Sequence, residues 1–405
     1  MDSEKRRGLC LVTGGALGDI PIILEAKSQG YRVITSGNRP FDIGHKFADE
    51  FVESDYTDER QIELICKNRS VDVLVSSCHD LAYIAAARVA EGLGYPGFDT
   101  PKNAEVVHSK NLLRKTLSDL RIATPKFAEC NSLEAGFLAL QNMRFPIIVK
   151  PVDLTGGNGI SVCKDKTYFE RAFIKAFSSS PKNLVIVEEY LDGKYHGFST
   201  LIFQGKIVSH FLDDEYYIPN TFRVSATSFP SEIRLMQKER LIRDLQLIVD
   251  NLKLVDGLLH VQFLETLAGP LIIEIMRRTP GDLYPNFVQL ATSVNFARSI
   301  FRPYTGEPYS SDDFIPEISI SNAPYLILRY MLMARSRGFI QEFEVDEKEL
   351  LTSSFFTRKV GDFVENPRMD TCAILFYSLP SSSQDANSLY NKVLTNSVVK
   401  VSTSI

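Results

Sequence analysis

Lys150 closes an apolar run, Ile147-Ile148-Val149, and is followed after Pro151 by Thr155-Gly156-Gly157-Asn158-Gly159-Ile160. A lysine at a strand end supplies a point charge, and a glycine-rich loop offers backbone N–H donors; together they suit a polyphosphate. The G-K-[ST] ending of a P-loop is absent, and a surface hairpin turn beside a solvated lysine is the plainer alternative. Further on, His260-Val261-Gln262-Phe263-Leu264 precedes Ile272-Ile273-Glu274-Ile275-Met276-Arg277-Arg278, then Thr279-Pro280-Gly281-Asp282. The two-residue period of a strand puts Glu274, Met276 and Arg278 on one face and Gln262 with Leu264 on another. A carboxylate in an apolar strand is costly unless it is paired or bound to a metal. Two arrangements meet that demand: Glu274 as a Mg²⁺ ligand at nucleotide phosphates with Arg278 beside the transferred phosphoryl group, or a buried Glu274–Arg278 ion pair. A third run, Val185-Ile186-Val187-Glu188-Glu189-Tyr190-Leu191, leads a strand into acids, a place suited to an adenine edge.

The elements that must position these residues follow from hydrophobic period and punctuation. Leu9–Thr13, Tyr31–Thr35 and Val71–Ser76 are short apolar runs alternating with helical patterns, which predicts a parallel sheet in an α/β domain ending near residue 100. A helix over Ser109–Leu120 carries Lys110 and Arg114. An α+β unit follows, then a long helix over about Ser231–Leu252 and a hairpin formed by His260–Leu264 and Pro270–Met276. The last ~100 residues read as a small β-rich part. The first glycine cluster, Thr13-Gly14-Gly15-Ala16-Leu17-Gly18, is G-G-x-x-G rather than the dinucleotide G-x-G-x-x-G, and Thr35-Ser36-Gly37-Asn38-Arg39 brings no acid for a ribose hydroxyl. Arg39 keeps an NADP-dependent oxidoreductase as a remote alternative. A structural turn or a carboxylate-binding loop fits the cluster better.

The 405 residues allow two to three domains, and a net charge of −5 gives no basic footprint for nucleic acid or an anionic membrane. The start of the chain has no signal-peptide pattern, and Ala323–Ala334, an apolar run, is interrupted by Arg329. Six scattered cysteines without a CxxC pair predict buried reduced thiols in a cytoplasmic protein.

Taken together, Ser109-Lys110-Asn111-Leu112-Leu113-Arg114, FPIIVKP with TGGNGI, VIVEEYL and HVQFL…LIIEIMRR resemble, in order and spacing, the ATP-grasp superfamily of carboxylate ligases, and most the group of biotin carboxylase and carbamoyl phosphate synthetase. The resemblance implies an N-terminal parallel α/β domain (1–100), an ATP-grasp module (101–305, lid about 125–190) and a closing C-terminal β-rich subdomain (306–405). It implies an ADP-forming ligase that activates a carboxylate as an acyl phosphate for an amine, with ATP and Mg²⁺ as cofactors and small molecules as partners. A homodimer is the commonest oligomer to expect. Carried over by position, Lys110 and Lys150 would meet ATP phosphates, Gly156, Gly157 and Gly159 would form the mobile lid loop of the ATP site, and Glu188 would meet the adenine amino group. The backbone of Glu189 and Leu191 would meet the adenine edge, and His196 the ribose. Glu274 and Gln262 would hold the metal, and Arg278 and Asp282 would act in catalysis. Two positions depart from the pattern: Gln262 where relatives carry an acid, and Met276 where they carry Asn. Both weaken a Mg²⁺ cage, which leaves a catalytically impaired nucleotide-binding module as the second reading.

Overall fold

The computed structural model describes residues 7–403 apart from 155–156, 218–221, 319–322, 324, 368 and 381–385. The N-terminal part is a parallel sheet in the order Glu50–Glu53, Tyr31–Gly37, Gly8–Val12, Val73–Val75. Its central strand is covered on both faces, which is why Cys10, Leu11 and Val12 form an unbroken apolar run, fully buried. The helices between strands carry their own stops. The Asp58 carboxylate accepts the N–H groups of Arg60 and Gln61 to open one, and Gly94, at φ +80°, closes another in the left-handed region.

Two antiparallel sheets follow. The smaller runs Phe127–Cys130, Val185–Glu189, Ile147–Pro151, Ser161–Cys163, with the helices Leu133–Leu140 and Phe169–Ser179 packed on it. The larger has eight strands, in order Gly269–Met276, Gly257–Thr266, Lys194–Phe203, Lys206–Tyr216, Ala226–Phe229, Tyr325–Met333, Thr371–Pro380, Leu351–Phe356. Three strands of the β-rich C-terminal part thus extend the central sheet, joined to it by pairing of Ala226–Phe229 with Tyr325–Met333. Three others, Phe363–Val364, Gly338–Glu344 and Val398–Ser402, form a small sheet.

The long helix begins at Leu235, later than the sequence suggested, because Ser231 and Glu232 turn back to bond the Asp214 carboxylate. Leu241, Leu245, Ile248 and Val249 make its apolar stripe and pack on the hairpin with Val261 and Ile275. One core cluster holds Leu11, Val12 and Ile34 together with Tyr284, Phe287 and Phe301, so the N-terminal sheet and the helices Tyr284–Thr292 and Phe296–Thr305 share an interior. All six cysteines are free and buried, as their placement in apolar runs predicted. No helix among the described residues is long and apolar enough to cross a membrane.

Candidate functional site

A cavity of about 560 Å³ opens between the four-stranded antiparallel sheet, the eight-stranded sheet and the N-terminal part. Lys110, Lys150, Gly157, Glu188, Glu189 and Leu191 line one wall; Gln262, Glu274, Met276, Arg278 and Asp282 line the other. Residues that the sequence separates by more than a hundred positions therefore face one space, of the size that holds a small-molecule ligand.

On the first wall, Lys150 is buried in a strand whose five residues are all buried, because both faces of that strand are covered. Its Nζ donates to Glu188 Oε2 at 2.7 Å, and Arg114 Nε donates to Glu188 Oε1 at the same distance. Burial would raise the Glu188 carboxyl, but the charges of Arg114 and Lys150 outweigh it and hold it at about 2. The two remaining Arg114 nitrogens bond the carbonyls of Ile272 and Ile273, which ties the lysine helix to the hairpin. Lys110 Nζ donates to the Leu154 carbonyl at 2.6 Å, at the entry to the glycine loop. Gly157 and Gly159 sit at φ +78° and +74°, and a Cβ on Gly157 would strike the Phe222 backbone, so the loop needs glycine there. Gly156 lies outside the described residues. The N–H of Glu189 bonds the Lys126 carbonyl and that of Tyr190 the Pro146 carbonyl, each at 2.9 Å. The N–H of Leu191 has no partner among the described residues and is free for a ligand edge.

On the second wall, Gln262 and Glu274 are direct cross-strand partners. A register shift next to Gln262 lets Gln262, Leu264, Glu274, Met276 and Arg278 all reach the same cavity. Glu274 is half-buried and makes no hydrogen bond or ion pair with a described residue. The Gln262 amide donates to Glu215 Oε1 at 2.8 Å, and its own oxygen has no partner among the described residues. An unpaired carboxylate beside a free amide oxygen fits a hard divalent cation, whereas the Met276 thioether does not.

Several expectations are corrected. His196 faces away from the cavity: its Nδ1 meets Asp214 at 2.8 Å, its ring stacks on Phe263, and Tyr195 takes the cavity side. Both Glu188 oxygens are held by cations, Arg114 and Lys150, so this carboxylate orients Lys150 at the cavity wall. Arg278 does not pair with Glu274; its Nε bonds Asp80 Oδ1 at 2.6 Å. Asp282 sits at φ +58° before the Tyr284–Thr292 helix, 3.6 Å from Arg223. In the first glycine cluster, the Asp19 carboxylate accepts the Ala16 N–H at 2.8 Å and the Cys78 N–H at 2.7 Å. A carboxylate seated on the Ala16 amide puts negative charge at this turn, which disfavours a pyrophosphate there and weakens the NADP alternative.

Sequence reading missed Arg223, His260 and Arg329 as cavity residues, which Glu215 and Tyr217 join there. Burial raises the Glu215 carboxyl and the neighbouring Asp213 carboxyl, whose Oδ1 accepts the Tyr284 hydroxyl while Oδ2 is buried without a partner among the described residues. Burial, with Arg278 and Arg329 nearby, holds the His260 imidazole down at about 3. Arg329 is buried over the Tyr284 ring and bonds Thr227 and the carbonyls of Gly281 and Asp282, leaving Nη2 unbonded among the described residues. The signal for Arg329 was present: a lone cation inside the apolar run 323–334 has to be doing something other than filling a core.

Residues 108–215 match the domain described as phosphoribosylglycinamide synthetase, ATP-grasp (A) domain. The formate-dependent phosphoribosylglycinamide formyltransferase of Prochlorococcus marinus is 29% identical over 186 residues, 45% of this chain and 47% of that protein. The carbamoyl phosphate synthase large chain of Clostridium perfringens is 25% identical over 175 residues, 42% of this chain and 16% of that one. The chain spans half or less of the length of the curated relatives it matches. The crystal structure of L-amino acid ligase from Bacillus licheniformis has a TM-score of 0.79 at 18% identity, covering 99% of this chain and 100% of that one. The segment carrying Lys110, Lys150 and Glu188 thus matches an ATP-grasp domain, and over nearly its whole length the chain shares the fold of the L-amino acid ligase structure.

Proposed function

We propose that the chain is an ATP-dependent, ADP-forming carboxylate–amine ligase, built as an N-terminal domain (1–100), an ATP-grasp module (101–305, lid about 125–190) and a closing C-terminal part (306–405), and working in the cytoplasm. The observation that carries this reading is the single cavity that joins Lys150 to Glu274 with Arg278 beside them. Lys110 and Lys150 would neutralise ATP phosphates, with Lys150 held on station by Glu188. Leu191 and the Glu189 carbonyl would border the adenine, and Gly157 and Gly159 would close over the phosphates. Glu274 and Gln262 would hold Mg²⁺, which when bound adds positive charge at the phosphate oxygens. A substrate carboxylate oxygen attacks the γ-phosphorus and ADP leaves, giving an acyl phosphate. The amine nitrogen then attacks the acyl carbon, phosphate leaves, and the nitrogen loses a proton, with Asp282 as acceptor. Arg278 would stabilise the charge on the transferred group, and Arg329 with Arg223 would orient the acceptor carboxylate.

The test is ADP release across mixtures of carboxylates and amines, alongside thermal protection by Mg-ATP. Saturating Mg-ATP at about 100 times its Kd adds about 2.7 kcal/mol to stability, and ADP appears only when a carboxylate is present. Protection with no ADP from any pair favours the impaired nucleotide-binding module, which the neutral Gln262 and the thioether of Met276 support. Absence of protection overturns both.

A further inference from the structure

Arg278 reaches the cavity from a strand of the central sheet, yet the group that fixes it belongs to the N-terminal part. Asp80 opens the Asp80–Leu93 helix there, buried. Its Oδ1 accepts Arg278 Nε–H at 2.6 Å and the ring Nδ1 of His108 at 2.9 Å. On the far side of that ring, His108 Nε2 accepts the backbone N–H of Arg277 at 3.3 Å. Because an N–H points at Nε2, the ring proton lies on Nδ1 and is donated to Asp80. Arg278 Nη1 bonds the Thr279 carbonyl at 3.3 Å, and Nη2 bonds no described residue and is left for the cavity.

The neighbouring arginine provides an internal contrast. By strand alternation Arg277 points away from the cavity, and Asp99 holds it at 2.7 Å. Asp99 also accepts the Val255 N–H and the Tyr83 hydroxyl, each at 3.0 Å. The N-terminal part is therefore latched to the hairpin twice, once through Asp99 without touching the cavity and once through Asp80 by way of the cavity arginine.

We propose that Asp80, oriented by His108, is a positioning residue for Arg278: it fixes the plane of the guanidinium so that the free edge meets the transferred phosphoryl group without reorganisation. This rests on the ligase reading. Without Asp80 the guanidinium keeps only the 3.3 Å bond from Nη1 to the Thr279 carbonyl and swings about its stem, and a misplacement of about 1 Å at a reacting centre costs about 10²-fold in rate.

Crystal structures and kinetics of Asp80→Ala, with Asp99→Asn as the contrast, test it. In Asp80→Ala the Arg278 guanidinium leaves its position, and kcat for ADP release falls about 10²-fold while KM for ATP moves less than about threefold. Asp80→Glu recovers part of the loss. Asp99→Asn lowers the thermal midpoint and leaves kcat unchanged. If Asp80→Ala does not fold, Asp80→Asn is read in the same two ways. An Arg278 that stays in place without Asp80, or an Asp99→Asn enzyme as slow as Asp80→Ala, overturns the proposal. Should the wild type release no ADP with any pair, the ligase reading falls while the position of Arg278 in the crystal still decides this one.

Discussion

Glu188 serves two cations of different purpose. Arg114 is almost fully buried and also caps two hairpin carbonyls, so it is structural; Lys150 lies at the cavity surface, and its contribution to the fold is one of two charges on a shared carboxylate. Removing Lys150 leaves Glu188 paired, whereas removing Arg114 strips the carboxylate of one partner and leaves two carbonyls facing a hole. Arg114→Ala is expected to cost about 3–5 kcal/mol, the usual consequence of breaking a buried pair. Lys150→Ala should shift the thermal midpoint by only a few degrees yet abolish ATP-dependent ADP release. Melting curves and turnover of both variants check this, and a folded, active Lys150→Ala protein would contradict the role assigned to the lysine.

At the scale of elements, the cavity depends on close approach between loops. The loop after the Gly8–Val12 strand meets the loop after the hairpin at Gly18, where a Cβ would lie 2.8 Å from the Gly281 Cα and 2.9 Å from Cys78 Sγ. Gly18→Ala therefore has to push the two loops apart, and backbone gives way less readily than a side-chain tip. A loss of about 1–3 kcal/mol is expected from such overpacking. Weaker thermal protection by Mg-ATP should accompany it, because Gly281 adjoins Asp282 and the carbonyls that hold Arg329. An unchanged melting temperature would show that the contact relaxes freely.

For the whole molecule, buried titratable groups around the cavity make stability depend on pH. His260 is held at about 3 when folded and returns to about 6.5 when unfolded. Between those values the unfolded chain binds a proton that the folded chain refuses, so this group costs stability as pH falls from about 6.5, by about 2 kcal/mol at pH 5. Glu188 acts lower: its contribution is present above the ordinary glutamate range and is lost as pH falls towards about 2. Asp213 and Glu215, raised by burial, act in the opposite sense, so the total is read by difference. His260→Gln should lose less of its melting temperature than the wild type between about pH 7.5 and pH 5, and equal losses would show that His260 is not the group responsible.

Local chemistry made part of this legible in sequence. Apolar runs that end in Lys150 and Glu188, and a carboxylate inside the strand at Glu274, announce themselves because an isolated charge in an apolar strand needs a purpose. The alternation of short strands and helices gave the N-terminal parallel sheet for the same reason of burial. What required the folded chain was the choice of face and of partner. His196 bonds Asp214 while Tyr195 takes the cavity side, and Arg278 took Asp80 rather than Glu274 as its counter-ion. Arg329 and Glu215 joined the cavity from strands that no local pattern brings beside the hairpin. Side-chain type is written along the chain, but which charges lie within 3 Å of one another is decided by sheet register and domain packing, which are long-range.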